Sequence, residues 1–379
     1  MSLVHLTFQN NRVTRINRDR PVSIKTYLLQ SFSVLVFISL FAAGAVSQRV
    51  PQLAGDQNSA NNQDQESHDA NQEQPAANLT VNVDVVQLFF NVKDKKGGLI
   101  PSLTKNDFDL FEDGKPQTIK YFTAESNLPL TLGILIDTSG SQQRVLDMEK
   151  VVGADFLNSI LRPKDEAFVI SFDVDVNLLQ DFTNSGHALR TALNSARINA
   201  PTSSCGIPGM GGGPLPCSAT PQGTLLYDGV YLASHDELAK EVGRKAMILL
   251  TDGEDQGSKL KLTDAVEAAQ KSDSIVYVLL IADRGMYGFG GYSGDSAMKK
   301  LTEQTGGRVI EVGNKQDKLK KAFDQIANEL RSQYNIGYVP TNSTKDGSFR
   351  KVEIRPKMKD YRIQARAGYY AVAHTDDQQ

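Results

Sequence analysis

Residues 130–141 read LTLGILIDTSGS, a strand pattern followed directly by oxygen-bearing side chains. The residues before Asp137 are uncharged and mostly apolar, which is typical of a strand buried on both faces of a parallel sheet. Asp137, Ser139 and Ser141 follow with one residue between each, and Gly140 gives the backbone the freedom to turn their side chains toward one centre. The stretch predicts a buried strand that ends in a cation-binding loop, with a helix cap made by Asp137 or Ser139 as the alternative.

Apolar runs and helical stretches alternate through residues 128–330. The candidate strands are residues 130–136, 167–172, 246–250, 275–281 and 308–312. The candidate helices are residues 143–161, 187–196, 224–241, 263–271, 296–305 and 315–331. This alternation predicts an α/β fold, a doubly wound and mainly parallel sheet with helices on both faces. In such sheets, ligands bind where the carboxyl ends of the strands open at a topological switch point.

Further oxygen ligands follow at positions that this alternation places near that edge. Asp252 comes directly after a candidate strand, and Thr224 stands at the start of a candidate helix. Five histidines and two cysteines, scattered along the chain, exclude a Cys/His zinc cluster. Carboxylates, hydroxyls and water suit Mg²⁺, Ca²⁺ or Mn²⁺, of which Mg²⁺ is the first expectation. The predicted metal ligands are Asp137, Ser139, Ser141, Thr224 and Asp252.

Two shorter segments with strand periodicity flank this region, at residues 79–126 and 332–373. The sequence EDGK at residues 112–115, between two apolar runs, indicates a hairpin. Each segment is too short to form a stable sheet by itself. We therefore expect the two segments to pair into one small all-β domain, with the α/β domain of residues 128–330 inserted between them. Two separate appendages are the alternative.

The first 47 residues have the features of an export signal. Basic residues precede an uncharged, mostly apolar run at residues 27–46, which ends in small residues. That run is long enough to span a bilayer, so a cleaved signal peptide and a retained membrane anchor both stay open. Residues 48–78 are rich in Gln, Asn, Asp and Ala, which predicts a disordered polar linker. We expect an exported protein that is periplasmic, secreted, or anchored to the membrane through residues 27–46.

Two loops of the α/β region carry further expectations. Residues 197–223 are rich in Pro and Gly and contain Cys205 and Cys217. In an exported chain, two cysteines in one loop are expected to form a disulfide, with a pair of free thiols as the alternative. Asp173 and Asp175 follow a candidate strand, and we interpret them as solvated turn residues.

The five predicted ligands resemble the metal-ion-dependent adhesion site of von Willebrand factor A (VWA) domains, a D-x-S-x-S loop, a later Thr and a later Asp-Gly. The resemblance covers about residues 128–330, with all five positions present in the family's order. The wider chain also resembles an acidobacterial subgroup of VWA-related proteins, in the runs 107–114, 334–338 and 368–370. In the family, an Asp or Glu of a protein partner often completes the metal coordination. The resemblance therefore implies metal-dependent binding of an acidic residue on a partner. Asp228, four residues after Thr224, is expected to support either Thr224 or the metal site from behind.

The charges of the predicted ligands also favour a metal ion that binds an acidic partner. Asp137 and Asp252 bring two negative charges to a divalent ion and the hydroxyls bring none, so the ion stays electrophilic. A formal net charge of −3, without a basic stripe, argues against a nucleic-acid partner. No histidine or carboxylate near the motif has the spacing of a general base, so we do not expect an enzyme. The expected function is metal-dependent protein binding in adhesion or scaffolding. A VWA scaffold whose metal only stabilises the fold is the first alternative, and a metal-dependent hydrolase is the second.

Overall fold

The computed structural model describes residues 85–125, 128–198, 223–281 and 294–372. These residues fall within one compact unit. Three predictions lie outside the described residues: the export segment, the polar linker, and the disulfide between Cys205 and Cys217. Within the described ranges, no helix is both long enough and apolar enough to cross a membrane.

The secondary structure keeps the predicted order of strands and helices and adds one strand, residues 176–183, to those predicted for the middle region. The N-terminal strands are β1 (Val86–Lys93), β2 (Phe108–Glu112), β3 (Lys115–Gln117) and β4 (Ile119–Glu125). The strands of the middle region are β5 (Leu130–Asp137), β6 (Glu166–Phe172), β7 (Val176–Thr183), β8 (Arg244–Thr251), β9 (Ser274–Leu280) and β10 (Val309–Glu311). Its helices are α1 (Leu146–Ile160), α2 (Gly186–Ser195), α3 (Leu226–Leu232), α4 (Leu262–Lys271), α5 (Gly294–Thr305) and α6 (Gln316–Arg331). The C-terminal strands are β11 (Gln333–Tyr338), β12 (Phe349–Pro356), β13 (Arg362–Ala365) and β14 (Gly368–Tyr370).

The middle region folds around a six-stranded sheet in the order β10-β9-β8-β5-β6-β7. Its strands are parallel apart from β7, which runs antiparallel to β6. All eight residues of β5 are buried, because this central strand is covered on both faces. Helices α1, α2 and α6 pack against one face of the sheet, and α3, α4 and α5 pack against the other. The predicted fold class, a doubly wound and mainly parallel α/β sheet, is confirmed.

The helix expected over residues 224–241 is shorter in the structure. Helix α3 ends at Leu232, and a π-helical turn (Ala233–Glu237) and a 3-10 turn (Leu238–Lys240) follow it. Thr224 is not helical, because it forms an isolated β-bridge with Gln256. This bridge satisfies both the backbone N–H and the backbone C=O of Thr224, so it replaces the bonds of a first helical turn.

The N-terminal and C-terminal strands pair with one another in two four-stranded antiparallel sheets. Their orders are β13-β1-β11-β4 and β14-β12-β2-β3. Phe90, Phe108 and Tyr334 pack together in one hydrophobic core to which both sheets contribute. Because β1 pairs with β11 and β2 pairs with β12, the expectation of a small all-β part built from both flanks is confirmed.

The predicted hairpin joins β2 and β3. Glu112 pairs with Lys115 across the turn, and the residues between them, Asp113 and Gly114, have φ angles of 47° and 77°. Positive φ at both central positions is the geometry of a type I′ turn, for which Asp-Gly is a preferred pair. The local sequence is therefore sufficient to specify this turn.

Glu112 is also the centre of a buried network that joins the two ends of the described chain. Its carboxylate accepts hydrogen bonds from the hydroxyls of Tyr338 and Tyr369, at 2.7 and 3.0 Å, and lies 3.5 Å from the Arg350 guanidinium. Burial first, and then the bond to Glu112, raise the pKa of both tyrosines, so both hydroxyls stay protonated and donate. Residues 107–114, 334–338 and 368–370 supply this carboxylate and these two hydroxyls.

Candidate metal centre

The switch point of the middle sheet lies between β5 and β8. After β5 the chain forms β6 on one side, and it later forms β8 on the other side. Asp137 is the last residue of β5, and Asp252 directly follows Thr251, the last residue of β8. The two predicted carboxylates therefore lie at the edge where doubly wound sheets bind their ligands.

Asp137 is fully buried, and both of its carboxylate oxygens accept hydrogen bonds. Oδ1 accepts the backbone N–H of Ser139 at 2.9 Å, and Oδ2 accepts the hydroxyl of Thr251 at 2.7 Å. The hydroxyl oxygens of Ser139 and Ser141 lie 3.0 Å apart. Ser139 makes no side-chain cap bond to the 3-10 turn that follows it. The loop therefore brings Asp137, Ser139 and Ser141 together and leaves the cap alternative without support at Ser139.

Thr251 is a site residue that sequence reasoning missed. Its hydroxyl donates to Asp137 and also accepts the backbone N–H of Gly253 at 3.0 Å. This side chain therefore links the ends of β5 and β8 and fixes the orientation of the Asp137 carboxylate. The one signal in the sequence is its position immediately before Asp252.

The charge of Asp252 adds to the effect of burial on the Asp137 carboxylate. Asp252 is buried, and its Oδ1 accepts the N–H of Glu254 at 3.1 Å. Burial first, and then the charge of Asp252, raise the pKa of Asp137 from 3.8 to about 7, although bonds from Ser139 and Thr251 oppose the rise. A buried carboxylate with a raised pKa beside a second carboxylate is stabilised in its charged form by a nearby cation.

Thr224 is held beside the loop that follows Asp252. Its backbone N–H donates to Gln256 at 2.8 Å, and its carbonyl accepts the N–H of Gln256 at 3.0 Å. The next N–H, that of Leu225, donates to the backbone oxygen of Asp173 at 2.8 Å. Thr224 is thus fixed between the ends of β8 and β6, at the same sheet edge as Asp137.

Asp173 is buried, so its interpretation as a solvated turn residue was wrong, whereas Asp175 is exposed as expected. Asp173 Oδ2 accepts the hydroxyl of Thr138 at 2.7 Å, and Oδ1 accepts the N–H of Asp175 at 3.1 Å. The turn is buried because the loop after β5 packs against it, a contact between residues 35 positions apart. Asp173 connects the Asp137 loop to the segment that carries Thr224.

Replacing Thr138 with Val is expected to weaken this connection. The variant keeps the side-chain shape but removes the donor to Asp173, and an unmet buried acceptor costs about 1–3 kcal/mol. Urea unfolding would measure this loss, and calorimetric titration should show weaker cation binding because the Asp137 loop is less constrained. Thr191→Val is the matched control, since the exposed Thr191 hydroxyl bonds only to the carbonyl of His187 in its own helix. Equal effects of both substitutions would contradict the role of Thr138.

Asp228 contacts the chain beyond Asp252. Its two carboxylate oxygens accept the backbone N–H groups of Lys259 and Leu260, at 3.1 and 2.9 Å. The side chain therefore ties α3 to the segment that leads into α4. Its support of Thr224 stays a prediction.

The oxygen atoms gathered at this edge suit a hard divalent cation. Within the described part of the chain, no group of three or more His, Cys, Asp or Glu side chains could hold a metal ion by itself. The candidate ligands combine two carboxylates with hydroxyls instead, a donor set that fits Mg²⁺, Ca²⁺ or Mn²⁺ completed by water.

Glu149, on the first turn of α1, is a buried acid that sequence reasoning also missed. Its side chain is fully buried, and burial first, then the charges of Asp137 and Asp252, raise its pKa well above the usual range. The sequence holds a signal for it, because Glu149 falls on the apolar stripe formed by Leu146, Gly153 and Ile160. A charged residue on such a stripe is uncommon unless it has a partner.

Several solved structures are partly similar to the chain. The conserved hypothetical protein BatB from Bacteroides thetaiotaomicron has 20% identity and a TM-score of 0.39, over 54% of this chain and 100% of that chain. Proximal thread matrix protein 1 from the mussel byssus has 15% identity and a TM-score of 0.42, over 58% of this chain and 49% of that chain. That structure has a zinc-occupied metal-ion-dependent adhesion site (MIDAS) motif. The vWF domain of the type V pili tip protein Mfa5 from Porphyromonas gingivalis has 12% identity and a TM-score of 0.38, over 54% of this chain and 95% of that chain. No family model and no curated protein sequence matches the chain.

Proposed function

We propose that this chain is an exported protein-binding module of the adhesion or scaffold type, which uses a divalent cation to bind an acidic residue of a partner protein. The observation that carries the proposal is the fully buried Asp137 at the switch point, with a pKa raised to about 7 by burial and by Asp252. Asp137, Ser139, Ser141, Thr224 and Asp252 would hold the ion. Mg²⁺ is our first choice, with Ca²⁺ or Mn²⁺ as alternatives.

The residues around the site fix these ligands before any ion arrives. Thr251 and the Ser139 N–H orient Asp137. The bridge between Thr224 and Gln256 holds the segment that contains Thr224 against the loop that follows Asp252. Preorganised ligands lower the entropy that a cation site loses on binding. The bound ion would supply a Lewis-acidic position for a carboxylate oxygen of the partner. The proposal includes no catalytic step.

Calorimetric titration of the purified full chain, kept in a mild detergent, tests the cation site. We expect saturable binding of one ion per chain among Mg²⁺, Mn²⁺ and Ca²⁺. The affinity should fall at least about 100-fold in Asp137→Ala, because losing a charged direct ligand should cost no less than the roughly 10–100-fold that losing a partner of a ligand costs. Asp147→Ala, which removes an exposed carboxylate from α1, is the matched control and should bind normally. A folded wild-type chain that binds none of the three ions would refute the proposal.

The partner chemistry needs a separate test. A displayed library of random peptides, selected on the immobilised chain in Mg²⁺ and again in chelator, should give Mg²⁺-dependent binders enriched in Asp and Glu. Binders that persist in chelator, or that also bind the folded Asp137→Ala chain, would contradict a metal-bridged contact. If Asp137→Ala fails to fold under all conditions, the ion stabilises the structure, and the scaffold alternative replaces adhesion.

A further inference from the structure

The segment that follows the Asp137 loop contains acceptor atoms without donors. Gln142 lies in the 3-10 turn that includes Ser141, and Glu149 lies one turn into α1. Both side chains are buried, and Gln142 Oε1, Glu149 Oε1 and Glu149 Oε2 have no hydrogen-bond donor among the described residues. Native proteins pair nearly all buried polar atoms, so three unpaired acceptors in one short segment require an explanation.

The neighbouring lysine does not supply the missing donor. Lys150 is itself buried, and it forms an ion pair at 3.5 Å with Asp147, whose side chain is exposed. Burial first, and then the charges of Asp137 and Asp252, raise the pKa of Glu149, whereas the charge of Lys150 opposes the rise without a hydrogen bond to either carboxyl oxygen. The acid therefore lies within electrostatic reach of the proposed cation site, on the buried face of the helix.

Glu149 does not complete a direct ligand cluster. Across the described residues, no three acidic, histidine or cysteine side chains are placed to hold one ion. Oxygen atoms that lack a donor suit the water molecules of a hydrated cation, which are strong donors, and a nearby cation favours the ionised, accepting form of Glu149. Mg²⁺ releases its water reluctantly and keeps several water molecules when proteins bind it, whereas Ca²⁺ takes more protein ligands. Groups that hydrogen-bond to metal ligands, including bound water molecules, also tune the affinity for the metal.

We propose that Glu149 and Gln142 accept hydrogen bonds from water molecules of the cation held at Asp137, so that the centre contains an outer carboxylate and prefers a hydrated Mg²⁺ ion. This inference rests on the proposed function and adds the ion preference to it. Glu149 acts as a positioning residue for metal-bound water. Gln142 contributes a neutral acceptor from the turn beside Ser141.

Calorimetric titration of the full chain with Mg²⁺ and Ca²⁺ tests this role. Glu149→Gln keeps the side-chain size and removes the charge, and we expect it to lower Mg²⁺ affinity about 10-fold or more, the range for residues that orient metal ligands. Ca²⁺ affinity should fall less. Asp147→Asn makes the same change of charge on the exposed face of α1 and should leave both affinities within about 2-fold. Urea unfolding in chelator should find Glu149→Gln at least as stable as the wild type, because a neutral amide is easier to bury.

Each outcome bears on the inference separately from the proposed function. Wild-type Mg²⁺ affinity in Glu149→Gln, beside a loss in Asp137→Ala, would overturn the role of Glu149 and leave the cation site in place. Equal losses for Mg²⁺ and Ca²⁺ would overturn the ion preference. If Glu149→Gln unfolds in chelator, Glu149 belongs to the fold, and Gln142→Leu then decides whether the acceptor pocket binds metal water. No binding by the wild-type chain would instead refute the proposed function.

Discussion

In the absence of divalent ions, the Asp137 carboxylate is expected to cost the protein about 4 kcal/mol of unfolding free energy at pH 8 relative to pH 4. Its pKa is 3.8 in the unfolded reference and about 7 in the folded protein. The folded state therefore holds the proton more tightly, so stability falls as the pH rises from 3.8 to about 7 and is then constant. Urea unfolding of chelator-treated protein across this pH range would measure the loss.

Asp137→Asn isolates the contribution of this group from those of the other carboxylates. The difference in unfolding free energy between wild type and Asp137→Asn should change with pH, because the amide does not titrate. Saturating Mg²⁺ should shrink the wild-type loss, since the ion stabilises the charged carboxylate. Identical pH dependence in wild type and variant, without metal, would show that Asp137 does not carry the raised pKa.

Glu112→Ala is expected to destabilise the protein by about 3–5 kcal/mol, the cost of removing one partner of a buried ion pair. The Arg350 guanidinium, 2% exposed, would lose its buried carboxylate, and the hydroxyls of Tyr338 and Tyr369 would lose their acceptor. Because these groups come from β2, β11, β12 and β14, the loss should affect the whole β part. Urea unfolding at neutral pH measures it.

Glu353→Ala is the matched control for Glu112→Ala. Glu353 also pairs with an arginine, Arg355, but both side chains are about half exposed. Exposed pairs add little to stability, so this variant should unfold almost as the wild type does. A similar effect of the two substitutions would contradict the assignment of stability to the buried Glu112 network.

The sequence by itself determined the alternation of strands and helices, the fold class and the turn at Asp113 and Gly114. These features depend on short-range physics: the period of apolar residues, and the φ angles that an Asp-Gly pair favours. The sequence also placed Asp137 and Asp252 directly after two candidate strands. Because these strands are parallel neighbours, the two residues lie at the same edge of the sheet. The sequence could suggest that the flanking segments pair, because each had an apolar face and too few strands to cover it.

The tertiary structure alone decided which side chains stand behind the predicted ligands. The hydrogen bond from Thr251 to Asp137 joins residues 114 positions apart, and the one from Thr138 to Asp173 joins residues 35 positions apart. No local sequence pattern predicts either bond. Asp173 is an isolated acid in a turn, a position that usually faces water. Glu149 falls on the apolar stripe of α1, which indicates its burial but not the charges around it. Their burial results from the packing of distant elements, which changes the dielectric around a carboxylate without changing the residues beside it in the chain. For that reason the sequence predicts a loop at Asp137 directly after a buried strand, whereas the raised pKa of Asp137 and the unpaired oxygens of Glu149 required the fold.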